Sequence, residues 1–170
     1  MTRREAYSTM SSDDPRWLDD RQQKAWRSLV AVITRLPAAL DTQMQRDADL
    51  THFEYFVLAV LSEAPDRRLQ LSTLAAEANA SLSRLSHVIT RLAKRGWVCR
   101  EAIPHSRGSY AVLTDDGYAK VVETAPAHVD TVRRLVFDGL DNEQVSTLET
   151  VGTALLTQLD KGIAEGTGKA

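Results

Sequence analysis

Cysteine is almost missing from this chain. Cys99 stands alone, which excludes an intramolecular disulfide framework and a cysteine-rich zinc site. It lies between Val98 and Arg100 in a stretch that reads as strand, so it is expected to be a small packed hydrophobe rather than a redox sensor. No apolar run approaches the ~18 residues of a membrane span. The opening MTRREAYSTMSSDDP also lacks the apolar core of a signal peptide, so a cytoplasmic protein with no membrane partner is expected. The four histidines, His52, His87, His105 and His128, include no pair at i, i+3 or i, i+4 spacing, and a local zinc motif is absent. There is no GxGxxG or GKS/GKT run to cradle phosphates and no GxSxG elbow. No catalytic residue, metal or cofactor is expected, and the chain reads as a non-enzyme.

What the chain does have is a local concentration of positive charge. Its formal net charge is −2, yet residues 81–107 hold six Lys or Arg (Arg84, Arg91, Lys94, Arg95, Arg100, Arg107) against Glu101 alone, a local +5 that leaves −7 for the remainder. A basic patch on an otherwise acidic protein suits one anionic partner meeting one surface. Duplex DNA carries a charge every ~1.7 Å of axis and rewards clustered cations through counterion release. Charge alone equally describes a solvated helix face.

The stretch that holds this charge, SLSRLSHVITRLAKRGWVCREAIPHSRGSYAVLT from Ser81 to Thr114, organises the rest. Leu82, Leu85, Ile89 and Leu92 recur at helical spacing and should be buried, with Val88 at the edge of their face. Ser83, Arg84, His87, Thr90, Arg91 and Lys94 occupy the other face, short-chained at one end and cationic at the other. Such a face can enter a groove, donate to base edges and neutralise phosphates. Gly96 suits a helix C-terminus that needs positive φ. Trp97-Val98-Cys99 and Tyr110-Ala111-Val112-Leu113 are strand formers, separated by a turn with Pro104 and Gly108. A helix followed by a β-hairpin is expected, with Arg107 projecting from the hairpin loop.

At 170 residues and 43% hydrophobic content there is material for one core with appendages, and none for a large catalytic domain as well. Residues 1–13 are polar and unpatterned and read as a disordered tail. Residues 14–46 read as an N-terminal dimerisation helix, with Asp14 as N-cap ahead of Pro15 and Leu18, Ala25, Leu29, Val32, Ile33, Leu36 and Leu40 in helical phase. Residues 47–114 read as a winged helix-turn-helix. In that region Thr51 and Glu54 form a capping box, Leu69-Gln70-Leu71 makes a short edge strand, Ser72 caps a brief helix, and Asn79-Ala80 turns into the basic helix. Residues 115–165 read as C-terminal dimerisation helices, the last one capped by Asp141 with Gln144 and carrying Val145, Leu148, Val151, Leu155, Leu159 and Ile163. Residues 166–170 are expected to fray. The fold class expected is mainly α with a small β-wing. The terminal helices carry more apolar surface than a small winged domain uses, which points to a homodimer presenting two recognition helices to major grooves ~34 Å apart.

From about Pro15 to Ile163 the chain resembles the MarR family of bacterial winged-helix transcription regulators. The resemblance is most specific in Arg91-Leu92-Ala93-Lys94-Arg95-Gly96-Trp97-Val98-Cys99-Arg100 and in Leu113-Thr114-Asp115-Asp116-Gly117, which look like the family's recognition-helix end, wing start and wing exit. The family usually carries an Asp-x-Arg-Gly or Asp-x-Arg-Arg element six residues before the Leu-Thr pair. Here that places Arg107 on the Arg, implied to reach the minor groove, and His105 on the Asp that braces it. A His cannot be that anionic brace. Members often bind small aromatic or anionic ligands in a crevice between dimer helices and winged domain. The resemblance implies Trp26, Arg27, His52 and Tyr55 as candidates here, with Trp17 an equal alternative and simple packing a competing role for Trp26 and Tyr55.

The expected function is a homodimeric, sequence-specific, ligand-tunable regulator on a pseudo-palindromic double-stranded DNA operator, a repressor released by a small molecule. Ser83, Arg84, His87 and Thr90 are expected at bases or flanking phosphates, Arg91 and Lys94 at phosphates, and Arg107 in the minor groove. Two rivals stay open. One is a winged-helix protein-interaction module without DNA binding, to which the missing wing Asp points. The other is a metal-dependent sensor built from His52, Glu54 and His128.

Overall fold

A computed structural model describes residues 15–166. The expected tail at 1–13, the Asp14 cap and residues 167–170 lie outside it. The chain divides into two units, Met1–Leu36 and Pro37–Ala170, and helix α1 (Asp20–Ala48) contributes to both.

In the first unit α1 begins five residues later than the Asp14-Pro15 pair suggested. Asp19 supplies the start signal instead. Its carboxylate accepts from the Gln22 backbone N–H at 2.7 Å, while the Gln22 side chain accepts from the Asp19 N–H at 3.0 Å, the reciprocal arrangement that satisfies two orphan donors of a helix N-terminus. Trp17, Trp26, Val32 and Ile33 are all exposed.

In the second unit, α2 (His52–Glu63) opens on the expected Thr51–Glu54 capping box. A single 3₁₀ turn over Pro65–Arg67 leads into strand β1 (Arg68–Gln70) and directly into helix α3 (Leu71–Glu77). Leu71 therefore belongs to the helix and not to the strand. Ser72 does not cap it; Gln70 holds the cap position with no side-chain bond, and the buried Leu71 anchors this end instead. Asn79, with φ +44°, turns the chain into α4 (Leu82–Lys94), whose N-cap Ser81 accepts from the Arg84 N–H.

Gly96 takes the left-handed conformation, φ +76°, that ends α4. Strands β2 (Val98–Ala102) and β3 (Ser109–Leu113) then form the hairpin. The antiparallel sheet has the order β1-β3-β2, with Val98 opposite Leu113 and both Arg100 and Leu69 opposite Ala111. Strand alternation turns Val98, Ala111 and Leu113 inward and Cys99 outward. Cys99 is exposed, which corrects its reading as a packed hydrophobe.

Thr114 joins sheet to helix. Its hydroxyl donates to the Gly96 carbonyl at 2.7 Å and accepts from the Gly117 N–H at 3.0 Å, capping α5 (Asp115–Val132). One π-helical turn over Arg133–Phe137 follows. Helix α6 (Asn142–Ala164) starts on the expected Asp141–Gln144 capping box. The core of this unit is built from Met44, Leu50, Val57, Leu58, Leu61, Leu74, Leu85, Ile89 and Leu92, all fully buried, and each such side chain contributes roughly 2 kcal/mol of transfer free energy. No residue of α6 is buried.

Candidate nucleic-acid interface

At about 100° per residue, the side chains of α4 fall into four groups around the axis. Leu85, Val88, Ile89 and Leu92 point into the core. Ser83, His87, Thr90 and Lys94 lie opposite them and are exposed. Arg84 and Arg91 form the flank towards α2: the Arg84 guanidinium lies 4.3 Å from the Phe53 ring centre, and Arg91 Nε donates to Glu54 Oε1 at 2.9 Å.

Leu82 and Ser86 form the flank towards the wing. Leu82 was expected in the core but is 54% exposed. It sits past the edge of the buried stripe and lines a shallow recess with Ile103 and Arg107. Arg100, on the inward face of β2, extends beyond the core to this flank and donates to the Ser86 carbonyl, to the Ser86 hydroxyl and, at 3.3 Å, to the Thr90 hydroxyl. The Thr90 hydroxyl itself donates to the Ser86 carbonyl, so its free capacity for a base edge is reduced.

The wing loop is held by its own short bonds. Ile103 N–H donates to the Gly108 carbonyl, Ser106 N–H to the Ile103 carbonyl, and Gly108 N–H to the Ser106 hydroxyl. His105 has φ +59°, a left-handed conformation that Asn, Asp and His tolerate better than other side chains. A His can therefore replace an Asp in the backbone of this turn but not in its charge. Among the described residues Arg107 has no ion pair or hydrogen-bonded brace.

A second cluster lies between α2 and α5. The His128 ring sits 5.7 Å from the His52 ring and 4.8 Å from the Tyr55 ring, centre to centre. His128 Nδ1 is buried without a hydrogen-bond partner, and the His52 backbone N–H is tied to the Asp41 carboxylate at 2.9 Å. Burial lowers both imidazoles from their usual pKa. Asp41 opposes the shift at His52, while His52 adds to it at His128. Burial, with a smaller contribution from Glu63, raises Tyr55. Trp26 and Arg27 belong to the first unit, where both are exposed.

Glu54 does not join the two histidines. One carboxylate oxygen takes the Thr51 backbone N–H and hydroxyl, and the other takes Arg91. Among the described residues no group of three His, Cys, Asp or Glu is arranged to hold a metal, so the site considered from His52, Glu54 and His128 is not assembled.

The MarR family profile matches residues 50–107, from the start of α2 to the wing loop. A MarR family transcriptional regulator from Streptomyces coelicolor, solved in complex with DNA, is 46% identical with a TM-score of 0.81, over 85% of this chain and 92% of that one. The chain belongs to the MarR family. A second Streptomyces coelicolor member, AbsC, is 36% identical with a TM-score of 0.79, over 86% of this chain and 99% of its own. A mutant MarR from E. coli complexed with operator DNA shares the fold at 22% identity and a TM-score of 0.69, over 82% of this chain and 99% of that one. Comparison with curated proteins returns no match. As a MarR family member the chain is a transcription regulator and not an enzyme, and no described helix is long and apolar enough to cross a membrane.

In this MarR family chain four residues near the interface or the histidine cluster had no assigned place in the expected sites. By local pattern Arg100 reads only as charge, Glu54 as a cap or a possible metal ligand and His128 as a possible metal ligand, while Phe53 reads only as a residue of α2. Their partners lie on other elements, so no local spacing announces them.

Proposed function

We propose that the chain is a homodimeric, sequence-specific DNA-binding repressor, acting in the cytoplasm on a pseudo-palindromic operator and released by a small aromatic or anionic ligand. The observation that carries this reading is the outward side of α4. Ser83, His87, Thr90 and Lys94 are exposed together, Arg84 and Arg91 flank them, and the helix contains no acid. Ser, His and Thr offer donors and acceptors to base edges, and the cations offer phosphate contacts. Arg107, at the wing tip and without a partner among the described residues, suits the adjacent minor groove. The relative solved with DNA supports the same assignment.

Leu148, Val151, Leu155 and Leu159 form a half-exposed apolar stripe along α6, a surface that a lone subunit would leave to water. A second copy of the chain is the simplest cover for it. The ligand would sit against His52, Tyr55 and His128 of the second unit and would shift the separation of the two recognition helices.

The deciding experiment is a salt-dependent titration of the protein against the DNA upstream of its own gene beside a scrambled duplex, with sedimentation to read the oligomeric state. A dimer, a steep negative salt slope and a preference for the upstream DNA are expected. Equal, weak binding to both duplexes would transfer the assignment to a protein-interaction module.

A further inference from the structure

Two consecutive residues of α2 hold the two arginines on one flank of α4. Arg84 and Arg91 are seven residues apart, two turns, so they share a side of the helix about 10 Å apart along its axis. Phe53 lies against the first guanidinium and Glu54 bonds the second. The Glu54 side chain is only 9% exposed, whereas that of Arg91 is 58% exposed. Arg91 is held through Nε alone, and its terminal nitrogens, which carry four of the five N–H donors of the group, have no partner among the described residues. The carboxylate is itself fixed by two bonds from Thr51.

We propose that Phe53 and Glu54 are positioning residues for DNA binding: the first turn of α2 aims Arg84 and Arg91 at phosphates flanking the groove that the outward side of α4 enters. The inference rests on the DNA-binding reading above. A free Arg loses rotamer freedom when it takes a phosphate, and a guanidinium already held by its Nε edge or its face loses less. A capping box that served only α2 would need the Glu54 oxygen that meets Thr51 and would leave the other unengaged. Here the second oxygen reaches an element 37 residues away in sequence.

The sign of one substitution separates positioning from simple charge. Glu54→Gln removes a negative charge close to DNA, so a bystander Glu54 predicts tighter binding. Positioning predicts weaker binding, by about five- to tenfold, with a salt slope shallower by about one phosphate contact despite the more positive protein. The probe is a duplex selected by the wild-type protein from a randomised pool, titrated at several salt concentrations alongside thermal melts. Glu54→Gln should have little effect in an Arg91→Gln background, because Glu54 acts through Arg91. Arg91→Lys, an exposed change that keeps the charge but loses the fork, should weaken binding as Glu54→Gln does, and it remains informative if the Glu54 variant is poorly folded. Phe53→Leu should lose a smaller factor through Arg84. Unchanged or tighter binding by folded Glu54→Gln, or wild-type affinity in Arg91→Lys, overturns the proposal while leaving the DNA-binding reading intact. A wild-type protein that selects no duplex overturns both.

Discussion

Arg100 fastens the wing to the recognition helix through Ser86. Its Nη2 donates to the Ser86 carbonyl at 2.7 Å and to the Ser86 hydroxyl at 2.8 Å. The contact places a β2 side chain on the flank of α4 opposite to the one that α2 holds, so the outward side of the helix is bounded by a clamp on each edge. Arg100→Ala should cost about 1 kcal/mol, the net worth of an ordinary hydrogen-bonded contact, which for a chain of this size lowers Tm by about 2–4 °C. Hydrogen exchange along β2 should quicken at the same time. An unchanged melt with unchanged exchange in β2 would show that the clamp contributes nothing.

Arg107 is the opposite case, a cation with no ion pair or hydrogen bond among the described residues. Arg107→Ala should leave the melt within about 0.5 kcal/mol of wild type, as for most surface changes. It should weaken binding to a selected duplex by about 1–3 kcal/mol, the range for an arginine that reads a groove. A titration at fixed salt checks both parts. Full affinity in this variant would remove the wing from the interface.

Gly117 is required by packing. A Cβ there would overlap the Trp97 carbonyl and lie 2.8 Å from Leu113 Cδ1, and the carbonyl is backbone that cannot swing away. Gly117→Ala should therefore destabilise by about 3 kcal/mol, the upper part of the usual range for overpacking. The urea midpoint should fall with little change in slope. A wild-type midpoint would mean that the wing start and α5 can part without cost.

The half-buried imidazoles of His52 and His128 bind protons less readily folded than unfolded, since partial burial lowers both. Between the unfolded value of about 6.5 and the lower folded values, the unfolded chain holds more protons, so stability falls as pH drops below about 6.5 and is unaffected by these groups above it. Melts from about pH 7.5 to about 5.5 should show Tm falling with pH, and His128→Asn should flatten the fall. Asp47 does not confuse the window. Bonds from Arg46 and Gln43 hold it at about 2, far below the range scanned. An equally steep fall in His128→Asn would assign the dependence to other groups.

Much of the fold was legible because helix signals are local. The Thr51–Glu54 and Asp141–Gln144 boxes, the Gly96 stop and the hairpin after it stand where their spacing placed them. The misplacements were also local. Asp14-Pro15 looked like a helix start, but Asp19 and Gln22 satisfy the same donors five residues later. Ser72 looked like a cap, yet burial of Leu71 begins the helix before it. Leu82 matched the period of its neighbours, but a stripe has edges, and where they fall depends on what packs beside it.

The sequence by itself determined the order of helices and strands, the outward Ser83, His87, Thr90 and Lys94 on α4, and the local positive charge around them. Those follow from side-chain period, caps and composition within a few turns of chain. Only the tertiary structure decided that Cys99 and Leu82 face outward, that Glu54 meets Arg91, that Arg100 meets Ser86, and that His52 meets His128. Each of those depends on which elements pack together and at what register. No repeat within one helix or strand encodes a contact that two separate elements make.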